Sequence, residues 1–256
     1  MNARGLTRSA VLGALGLASA GPTAAQDLEV GVSTGVSYTS GGYGGDVNIE
    51  ETYVPVSFTA TYGDIALGLR VPYLSVSTDD TSGVTTESGL GDVSASLTMF
   101  DVLYSADLGL ALDISGVVKF GTADAETHLG TGENDYTVYF DGYKFFDDVT
   151  FLGTIGYRWR GEPADTELDD VLIGSVGAAF FSDGGTMFGG TFDYRQTAIV
   201  GGDDVREVRA FAATPLNETW DFEAYLFTGL TDSSPDWGGG VTIAADLSRF
   251  ALREPR

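Results

Sequence analysis

The sequence predicts an all-β, transmembrane, antiparallel up-and-down barrel of about 12 strands, with short periplasmic turns and longer acidic extracellular loops. Three observations lead to this prediction. Most segments alternate apolar residues with small or polar ones, and the connections between them alternate between short and long. No stretch after the first thirty residues approaches the roughly twenty apolar residues that a membrane helix needs.

The alternation is clearest in the first predicted strand. From Leu28 to Tyr38 one parity is mainly apolar, and the other parity is small or polar. Successive side chains of a β-strand point to opposite faces, so such a sheet separates two environments, and lipid outside with water inside fits best. The predicted strands are 27–39, 52–62, 65–76, 91–100, 107–119, 135–145, 149–160, 171–181, 186–196, 205–214, 219–230 and 239–250. The segment 171–181 has apolar residues on both parities, so its pattern does not orient it.

The connections give the second argument. Short ones are predicted at 63–64, 101–106, 146–148, 182–185 and 215–218, and longer ones at 40–51, 77–90, 120–134, 161–170, 197–204 and 231–238. A barrel with both chain ends in the periplasm produces this rhythm, whereas a soluble β-sandwich, the competing class, has no reason to keep it. In hydrocarbon the sheet must close so that no strand edge is left unpaired, and an even count near twelve would allow closure.

Aromatic residues support the barrel, because interfacial girdles lie near strand ends. The residues expected there are Tyr38, Tyr62, Tyr73, Phe100, Tyr157, Trp159, Tyr194 and Trp220. The alternative interpretation is that aromatic residues simply favour strands.

Residues 1–25 have the pattern of a cleaved secretory signal peptide. Arg4 and Arg8 form the positive start, 10–18 the short apolar core, and Ala25 or Ala20 the small residue at the cleavage point. The alternative is an N-terminal helix of the folded protein. With cleavage, the barrel comprises residues 26–256, and the expected location is the outer membrane of a Gram-negative cell.

Composition excludes several function classes. The formal net charge is −24, which argues against nucleic acid as a partner because that requires a basic surface. The chain has no cysteine, so disulfides and thiolate chemistry are absent. The single histidine, His128, is predicted to lie in a loop, and no nucleophile-elbow motif is present. We therefore expect neither an enzyme nor a cofactor, although catalysis by two carboxylates stays open on sequence alone.

Most charges within the predicted strands fall on the polar parity. A charge on the lipid face near the midplane costs about 2–4 kcal/mol for Arg or Lys, so these residues are expected to face the interior. They are Glu29, Arg70, Asp92, Asp113, Lys119, Asp141, Arg158, Asp193, Arg195, Glu207, Arg209, Asp221, Glu223 and Asp246. Two roles are compatible with this placement: a salt-bridged ladder that fills a narrow barrel, or the lining of a permeation path.

The long connections carry acids and neither Lys nor Arg. A rim of one charge sign would concentrate cations and repel anions at the mouth. The residues of this predicted acidic extracellular rim are Asp79, Asp80, Asp124, Glu126, Glu162, Asp165, Glu167, Asp169, Asp170, Asp203 and Asp204. Adjacent carboxylates could hold hard divalent cations, but no segment has the spacing of a calcium loop, so no metal site is predicted.

Several short motifs follow one another along the chain: Ser88-Gly89-Leu90-Gly91-Asp92, Val118-Lys119-Phe120, Leu129-Gly130-Thr131-Gly132, Asp135-Tyr136, Gly156-Tyr157-Arg158 and Ser234-Pro235-Asp236-Trp237. In order and spacing they resemble an outer-membrane family named after the meta-pathway of phenol degradation. The resemblance implies an outer-membrane barrel that moves small aromatic or hydrophobic compounds. The chain departs from the family in two places: Phe120-Gly121-Thr122 lacks a proline common there, and the C-terminal aromatic Phe250 is followed by 251–256.

These observations lead to two function hypotheses. The first is a channel or transporter for passive uptake of small aromatic or hydrophobic compounds. The alternative is a closed structural or surface-interaction barrel whose acidic loops bind divalent cations and lipopolysaccharide. Expected partners are outer-membrane lipid, lipopolysaccharide, a small-molecule solute, and the barrel-assembly machinery through the C-terminal strand.

Overall fold

The computed structural model describes residues 28–45, 47–80, 83–124, 127, 129–163, 167–199 and 201–248. Thirteen antiparallel β-strands form one closed sheet. They are β1 (Leu28–Gly41), β2 (Asn48–Tyr62), β3 (Ile65–Asp80), β4 (Gly83–Leu90), β5 (Ser94–Ser105), β6 (Leu110–Lys119), β7 (Asp135–Phe145), β8 (Val149–Trp159), β9 (Val171–Phe181), β10 (Met187–Arg195), β11 (Val205–Pro215), β12 (Trp220–Gly229) and β13 (Trp237–Asp246). The described residues include no helix long and apolar enough to span a membrane.

The thirteen strands make a twelve-strand barrel. β4 pairs with the part of β3 from Tyr73 to Asp80, and β5 pairs with the part from Ile65 to Arg70, so β4 and β5 together occupy one position around the barrel. β1 and β13 pair from Gly31↔Asp246 to Ser40↔Trp237 and close the sheet. The predicted fold class is therefore confirmed. Each strand except β4 pairs on both sides, which is the condition for β-structure in hydrocarbon, whereas among the described residues β4 pairs with β3 alone.

The segment 77–90 differs from its prediction as a loop. β3 continues to Asp80, and β4 returns beside it as a hairpin in which Ser77 and Thr86 share a hydroxyl hydrogen bond of 2.9 Å. The Thr and Val residues of this segment suit extended structure. The segment was predicted to be a loop because its Gly and Asp residues are typical of turns.

The connections fall at two ends of the barrel. Those at 63–64, 106–109, 146–148, 182–186 and 216–219 form one end, which we call the short-turn end. Those at 42–47, 120–134, 160–170, 196–204 and 230–236, together with the β3–β4 hairpin, form the long-loop end. The predicted rhythm of short and long connections is thus present in the structure.

The outer face of the barrel is apolar. Leu67, Val176 and Leu226 expose 58%, 61% and 66% of their surface. Leu67 and Leu226 belong to the predicted apolar parity, and Val176 lies on the strand that its pattern does not orient. The opposite parity carries buried polar side chains such as Thr98 and Ser115, which share a hydroxyl hydrogen bond of 2.9 Å. A continuous exposed apolar band around a closed sheet is the arrangement that lipid contact stabilises.

Aromatic rings pair on this outer face. Tyr157 and Trp159 lie 5.0 Å apart between ring centroids near the long-loop end, and Phe146 and Phe151 lie 5.6 Å apart near the short-turn end. Phe100, predicted to be interfacial, is instead only 4% exposed and is buried with Ala66. Phe100 follows Thr98 on the inner parity, so its position near a predicted strand end did not make it interfacial.

The interior is apolar towards the short-turn end. Buried residues of the inner parity form a hydrophobic cluster there: Ala111, Tyr143, Ala179, Met187 and Phe211. Partly buried side chains pack against it: Phe145, Leu152, Phe181, Ala213 and Tyr225. We call these ten residues the apolar cluster. β9 contributes Ala179 and Phe181 to it while Val176 and Phe180 face outward, which accounts for the apolar residues on both parities of this strand.

Candidate functional site

A cavity of about 750 Å³ occupies the barrel interior above the apolar cluster. Its lining comes from β2, β3 and β5–β11, together with Asp92 and Leu129 from the connections. Tyr143, Leu152 and Phe211 belong both to this lining and to the apolar cluster, so they form its floor. The interior therefore combines a cavity lined by both charged and apolar side chains with an apolar floor.

Nine of the fourteen charged residues predicted to face the interior border this cavity. They are Arg70, Asp92, Lys119, Asp141, Arg158, Asp193, Arg195, Glu207 and Arg209. The other five are not among its lining residues and lie nearer the short-turn end: Glu29, Asp113, Asp221, Glu223 and Asp246. Sequence reasoning missed Asp135, Tyr53 and Tyr139, which also line the cavity. Extending the inner parity of β7 back from Asp141 would have identified Asp135 and Tyr139.

Lys119 organises the long-loop side of the cavity. Its Nζ lies 2.7 Å from Asp92 Oδ2 and 3.5 Å from Asp135 Oδ2, and it donates a 2.9 Å hydrogen bond to Thr131 Oγ1. Asp92 Oδ1 in turn accepts a 2.9 Å hydrogen bond from the backbone N–H of Ala123. These contacts fix parts of the 120–134 connection against the barrel wall.

The same connection folds inward at its glycine-rich part. Leu129 is 6% exposed and contributes to the cavity lining. A Cβ at Gly130 would lie 2.6 Å from the Ala123 Cβ and 2.7 Å from both carboxylate oxygens of Asp92, so only glycine fits this position. The motif 129–132 therefore packs this loop against the barrel wall.

Arg209 lies at the boundary between the cavity and the apolar cluster. Its Nε is 3.2 Å from Asp193 Oδ2, and its guanidinium carbon is 4.8 Å from the centroid of the Tyr225 ring. Glu207 approaches the same guanidinium at 3.9 Å. Asp193 also accepts a 2.6 Å hydrogen bond from Ser175 Oγ. Arg209 is thus held by carboxylates on one side and by an aromatic ring on the other.

The cavity wall between β7 and β10 carries further arginines. Arg158 donates to Thr137 Oγ1 at 3.2 Å and to the Tyr139 hydroxyl at 3.4 Å, both neutral acceptors. Arg195 ends β10 and is exposed at the cavity wall. These two guanidiniums differ from Lys119 and Arg209, which pair with carboxylates.

Asp113 has a local partner outside the cavity. Its Oδ1 accepts a 2.7 Å hydrogen bond from the backbone N–H of Asp101, a residue with φ of 50°. That left-handed conformation is uncommon for a residue with a side chain, so the carboxylate stabilises an unusual point in β5. The contact favours a structural role for Asp113.

The eleven predicted rim acids fall into three groups. Those with exposed side chains at the long-loop end are Asp79, Asp124, Glu162, Glu167, Asp169 and Asp203, and Asp80 ends β3 at the same end. Asp170 and Asp204 are partly buried and hydrogen bonded. Glu126 and Asp165 lie outside the described residues, as do His128, Phe250 and the predicted signal peptide. Among the described residues, no group of three or more His, Cys, Asp or Glu could hold a metal ion.

Asp170 and Asp204 make the same kind of contact. Asp204 accepts hydrogen bonds from the backbone N–H of Thr197 at 3.0 Å and from the Tyr194 hydroxyl at 2.8 Å. Asp170 accepts from the backbone N–H of Arg160 at 2.9 Å and from the Tyr157 hydroxyl at 3.2 Å. The N–H of Thr197, followed by the Tyr194 hydroxyl, lowers the pKa of Asp204 from its ordinary value. Both carboxylates therefore anchor loops to strand ends.

Solved structures show which barrels this one is similar to. The COG4313 outer membrane channel from Pseudomonas putida F1 superposes with a TM-score of 0.73 at 14% identity, covering 88% of this chain and 97% of that one. The fold is that of an outer-membrane barrel. The KdgM porin follows with a TM-score of 0.53 at 10% identity, covering 84% and 98% of the two chains. The β domain of the Bordetella autotransporter BrkA has the same TM-score at 12% identity, covering 85% and 98%.

Comparisons of the sequence itself add no relative. No family model matches the chain, and no curated protein matches it. The resemblance to the meta-pathway family consequently stays a prediction. The similarity to channels and porins is one of fold, which an autotransporter domain shares, so function has to be argued from the interior.

Proposed function

We propose that this protein resides in the outer membrane of a Gram-negative cell and lets small solutes cross it passively. The observation that carries the proposal is the cavity of about 750 Å³ inside a closed barrel with an apolar outer face. Its lining includes five basic and five acidic residues, which suits a hydrated chamber rather than a packed core: Arg70, Lys119, Arg158, Arg195, Arg209, Asp92, Asp135, Asp141, Asp193 and Glu207. The fold shared with channels and a porin supports this function.

The proposed solutes are small aromatic or hydrophobic compounds that carry a polar group. The cavity volume falls within the roughly 300–1,000 Å³ typical of small-molecule sites. Apolar side chains such as Leu74, Ile173 and Phe211 alternate with polar ones along its wall. A compound with one apolar and one polar face can satisfy both kinds of surface.

Passage through the barrel requires movement at the short-turn end. The apolar cluster lies below the cavity, and its members Met187 and Ala179 are fully buried. A solute that reaches the cavity floor must displace side chains such as Phe211 and Tyr143 to continue. We therefore propose a path with a narrow apolar constriction, which favours small apolar solutes over large hydrated ones.

Reconstitution tests this function directly. Purified protein in planar bilayers is expected to give discrete single-channel currents, and liposomes containing it should take up small phenols faster than empty liposomes. Heat-modifiable gel mobility shows that the barrel is folded in the same preparation. A folded barrel that neither conducts nor accelerates uptake would contradict the proposal.

A closed structural barrel is the second candidate function, and the apolar cluster favours it. In this interpretation the exposed acids bind divalent cations that bridge to lipopolysaccharide phosphates. Replacing Glu162, Glu167 and Asp169 with the corresponding amides should then abolish calcium-dependent binding of lipopolysaccharide while the barrel stays folded. Unchanged binding by this triple variant would remove the second candidate.

Export and assembly complete the proposal. A signal peptide at 1–25 predicts that the mature protein begins near Gln26, which N-terminal sequencing of protein from outer-membrane fractions would test. The C-terminal strand is proposed to engage the barrel-assembly machinery, and β13 is the strand that closes the barrel on β1.

A further inference from the structure

Two arginines lie on the cavity wall at the long-loop end, and a third lies near them. Arg158 belongs to β8, Arg160 follows this strand, and Arg195 ends β10. Arg158 and Arg195 line the cavity. Each of the three lies within electrostatic range of another, since Arg195 interacts with both Arg158 and Arg160. Three like charges in this arrangement repel one another, although the chain as a whole has a formal charge of −24.

Carboxylates do not neutralise this group in the way they neutralise Lys119 and Arg209. Among the residues that the structure describes, Arg158 donates only to hydroxyl oxygens. Arg195 is exposed to the cavity, and within the described part of the chain it makes no hydrogen bond or ion pair. Glu207 is its acidic neighbour, but that carboxylate lies 3.9 Å from the Arg209 guanidinium.

In the part of the chain that the structure describes, Arg160 does not line the cavity, but its guanidinium also lacks a carboxylate of its own. Its Nε is buried and has no hydrogen-bond partner among the described residues. The acid that faces it, Asp135, lies 3.5 Å from Lys119 Nζ and accepts a 3.1 Å hydrogen bond from the N–H of Gly161. Burial lowers the pKa of Arg160; the charge of Asp135 opposes this change, and that of Arg158 adds to it. Arg160 therefore adds a third guanidinium near Arg158 and Arg195, and the acid that faces it, Asp135, is shared with Lys119.

We propose that Arg158 and Arg195, with Arg160 near them, bind the carboxylate group of a small organic anion inside the barrel. Guanidinium groups bind carboxylates through paired N–H donors, so two cavity-lining arginines, one partly buried (Arg158) and one exposed (Arg195), suit this group. This inference rests on the proposed function, because it names the solute class that the cavity would take.

The side chains around the arginines determine which chemical group, next to the carboxylate, the ligand can carry. Ile173 and Val205 are the register partners of Arg195 on its two neighbouring strands, and both line the cavity. A carboxylate held by Arg195 would thus place its remaining atoms against apolar side chains. The Tyr139 ring and the apolar floor continue this surface. An apolar or aromatic body fits it better than a polyhydroxylated one.

The external charge limits the ligand to a single negative charge. The exposed rim acids at the long-loop end, such as Asp79, Glu162 and Asp203, repel anions on approach. This repulsion grows with ligand charge, so phosphate or a polycarboxylate meets a higher barrier than a monocarboxylate. Benzoate is accordingly a suitable probe. Benzyl alcohol is the control without a charge, and inorganic phosphate is the anionic control without an apolar body.

Binding to the full-length, detergent-solubilised barrel tests the inference independently of transport. Isothermal titration is expected to show benzoate binding more tightly than benzyl alcohol or phosphate, with an affinity that falls as salt is raised. In R158Q and R195Q the benzoate affinity should drop by roughly ten-fold or more each, since each variant removes a charge-assisted contact. R195K should lose less affinity because it keeps the charge.

Arg206→Gln is the matched control. Arg206 is exposed on the outward parity of β11, so this variant makes the same change in charge outside the cavity and should bind benzoate like the wild type. Heat-modifiable mobility confirms folding of each variant. Benzoate binding that equals that of benzyl alcohol, or that survives in the R158Q/R195Q double variant, would overturn the inference even if the barrel conducts. Absence of conductance would contradict the proposed function. The binding measurement would still test the inference, because it does not depend on transport.

Discussion

Lys119 and Asp92 form an ion pair, 2.7 Å between Nζ and Oδ2, at the point where one barrel strand is interrupted. Asp92 lies between β4 and β5, the two parts of that strand, and Lys119 is the last residue of β6. The Asp92 side chain is 7% exposed, so the pair is largely removed from solvent. It joins the interruption, the neighbouring strand and the 120–134 connection into one unit.

Replacing this lysine should loosen that unit. In Lys119→Met, Asp92 and Asp135 would lose their cationic partner while staying buried, which costs roughly 1–3 kcal/mol. We expect a lower unfolding midpoint in denaturant and a larger or noisier single-channel current, because the loop that carries Leu129 is released from the cavity. Lys144→Met is the control, since Lys144 lies near the short-turn end and contacts the Leu108 carbonyl and the Phe146 ring. Equal conductance changes in both variants would contradict a role for the Lys119 contacts.

The assignment of the outer face to lipid predicts the effect of a charge there. Val176, in the middle of β9, is 61% exposed on the outer face. Val176→Arg should destabilise the barrel in lipid bilayers by about 2–4 kcal/mol, measured by reversible denaturant unfolding. Val117→Arg is the comparison on the inner face, where Val117 lines the cavity and the new guanidinium can be hydrated. If the outer variant were no less stable than the inner one, the lipid assignment would be wrong.

The apolar cluster should limit flow through the barrel. Phe211 is 5% exposed and forms part of the cavity floor, so Phe211→Ala is expected to raise single-channel conductance and the rate of phenol uptake. It should also cost about 3–5 kcal/mol in unfolding free energy, because a large buried side chain is removed. Phe180→Ala alters a phenylalanine of the outer face and should leave conductance unchanged. A constriction elsewhere is indicated if Phe211→Ala conducts like the wild type.

Asp204 should make stability depend on pH in a defined direction. Its pKa is lowered in the folded protein, so the carboxylate stabilises the fold above its ordinary pKa, and this contribution is lost as pH falls through the folded-state value. Wild type should therefore lose more stability on acidification than Asp204→Asn, which has no carboxylate to protonate. Asp203→Asn, at the exposed neighbouring acid, should follow the wild type. Thermal unfolding midpoints between neutral and strongly acidic pH measure this difference.

The sequence by itself determined the strands, their faces and the alternation of connection lengths. Period-two alternation is a local property, because each residue's face follows from the parity of its position. Leu67 and Leu226 could be placed outside, and Arg70 and Lys119 inside, from their neighbours alone. The alternation of short and long connections follows from the predicted strand boundaries alone. The barrel class could therefore be predicted from the sequence.

Only the tertiary structure decided which inner residues meet and at which depth. Asp92 and Lys119 are 27 positions apart, and Arg158 and Arg195 are on strands separated by β9; their proximity depends on the register of intervening strands. The apolar cluster has the same origin: Tyr143, Met187 and Phe211 stand on a parity that is otherwise polar, and register places them at one height. Closure sets the stagger between strands for the whole ring at once, so no single segment contains that information.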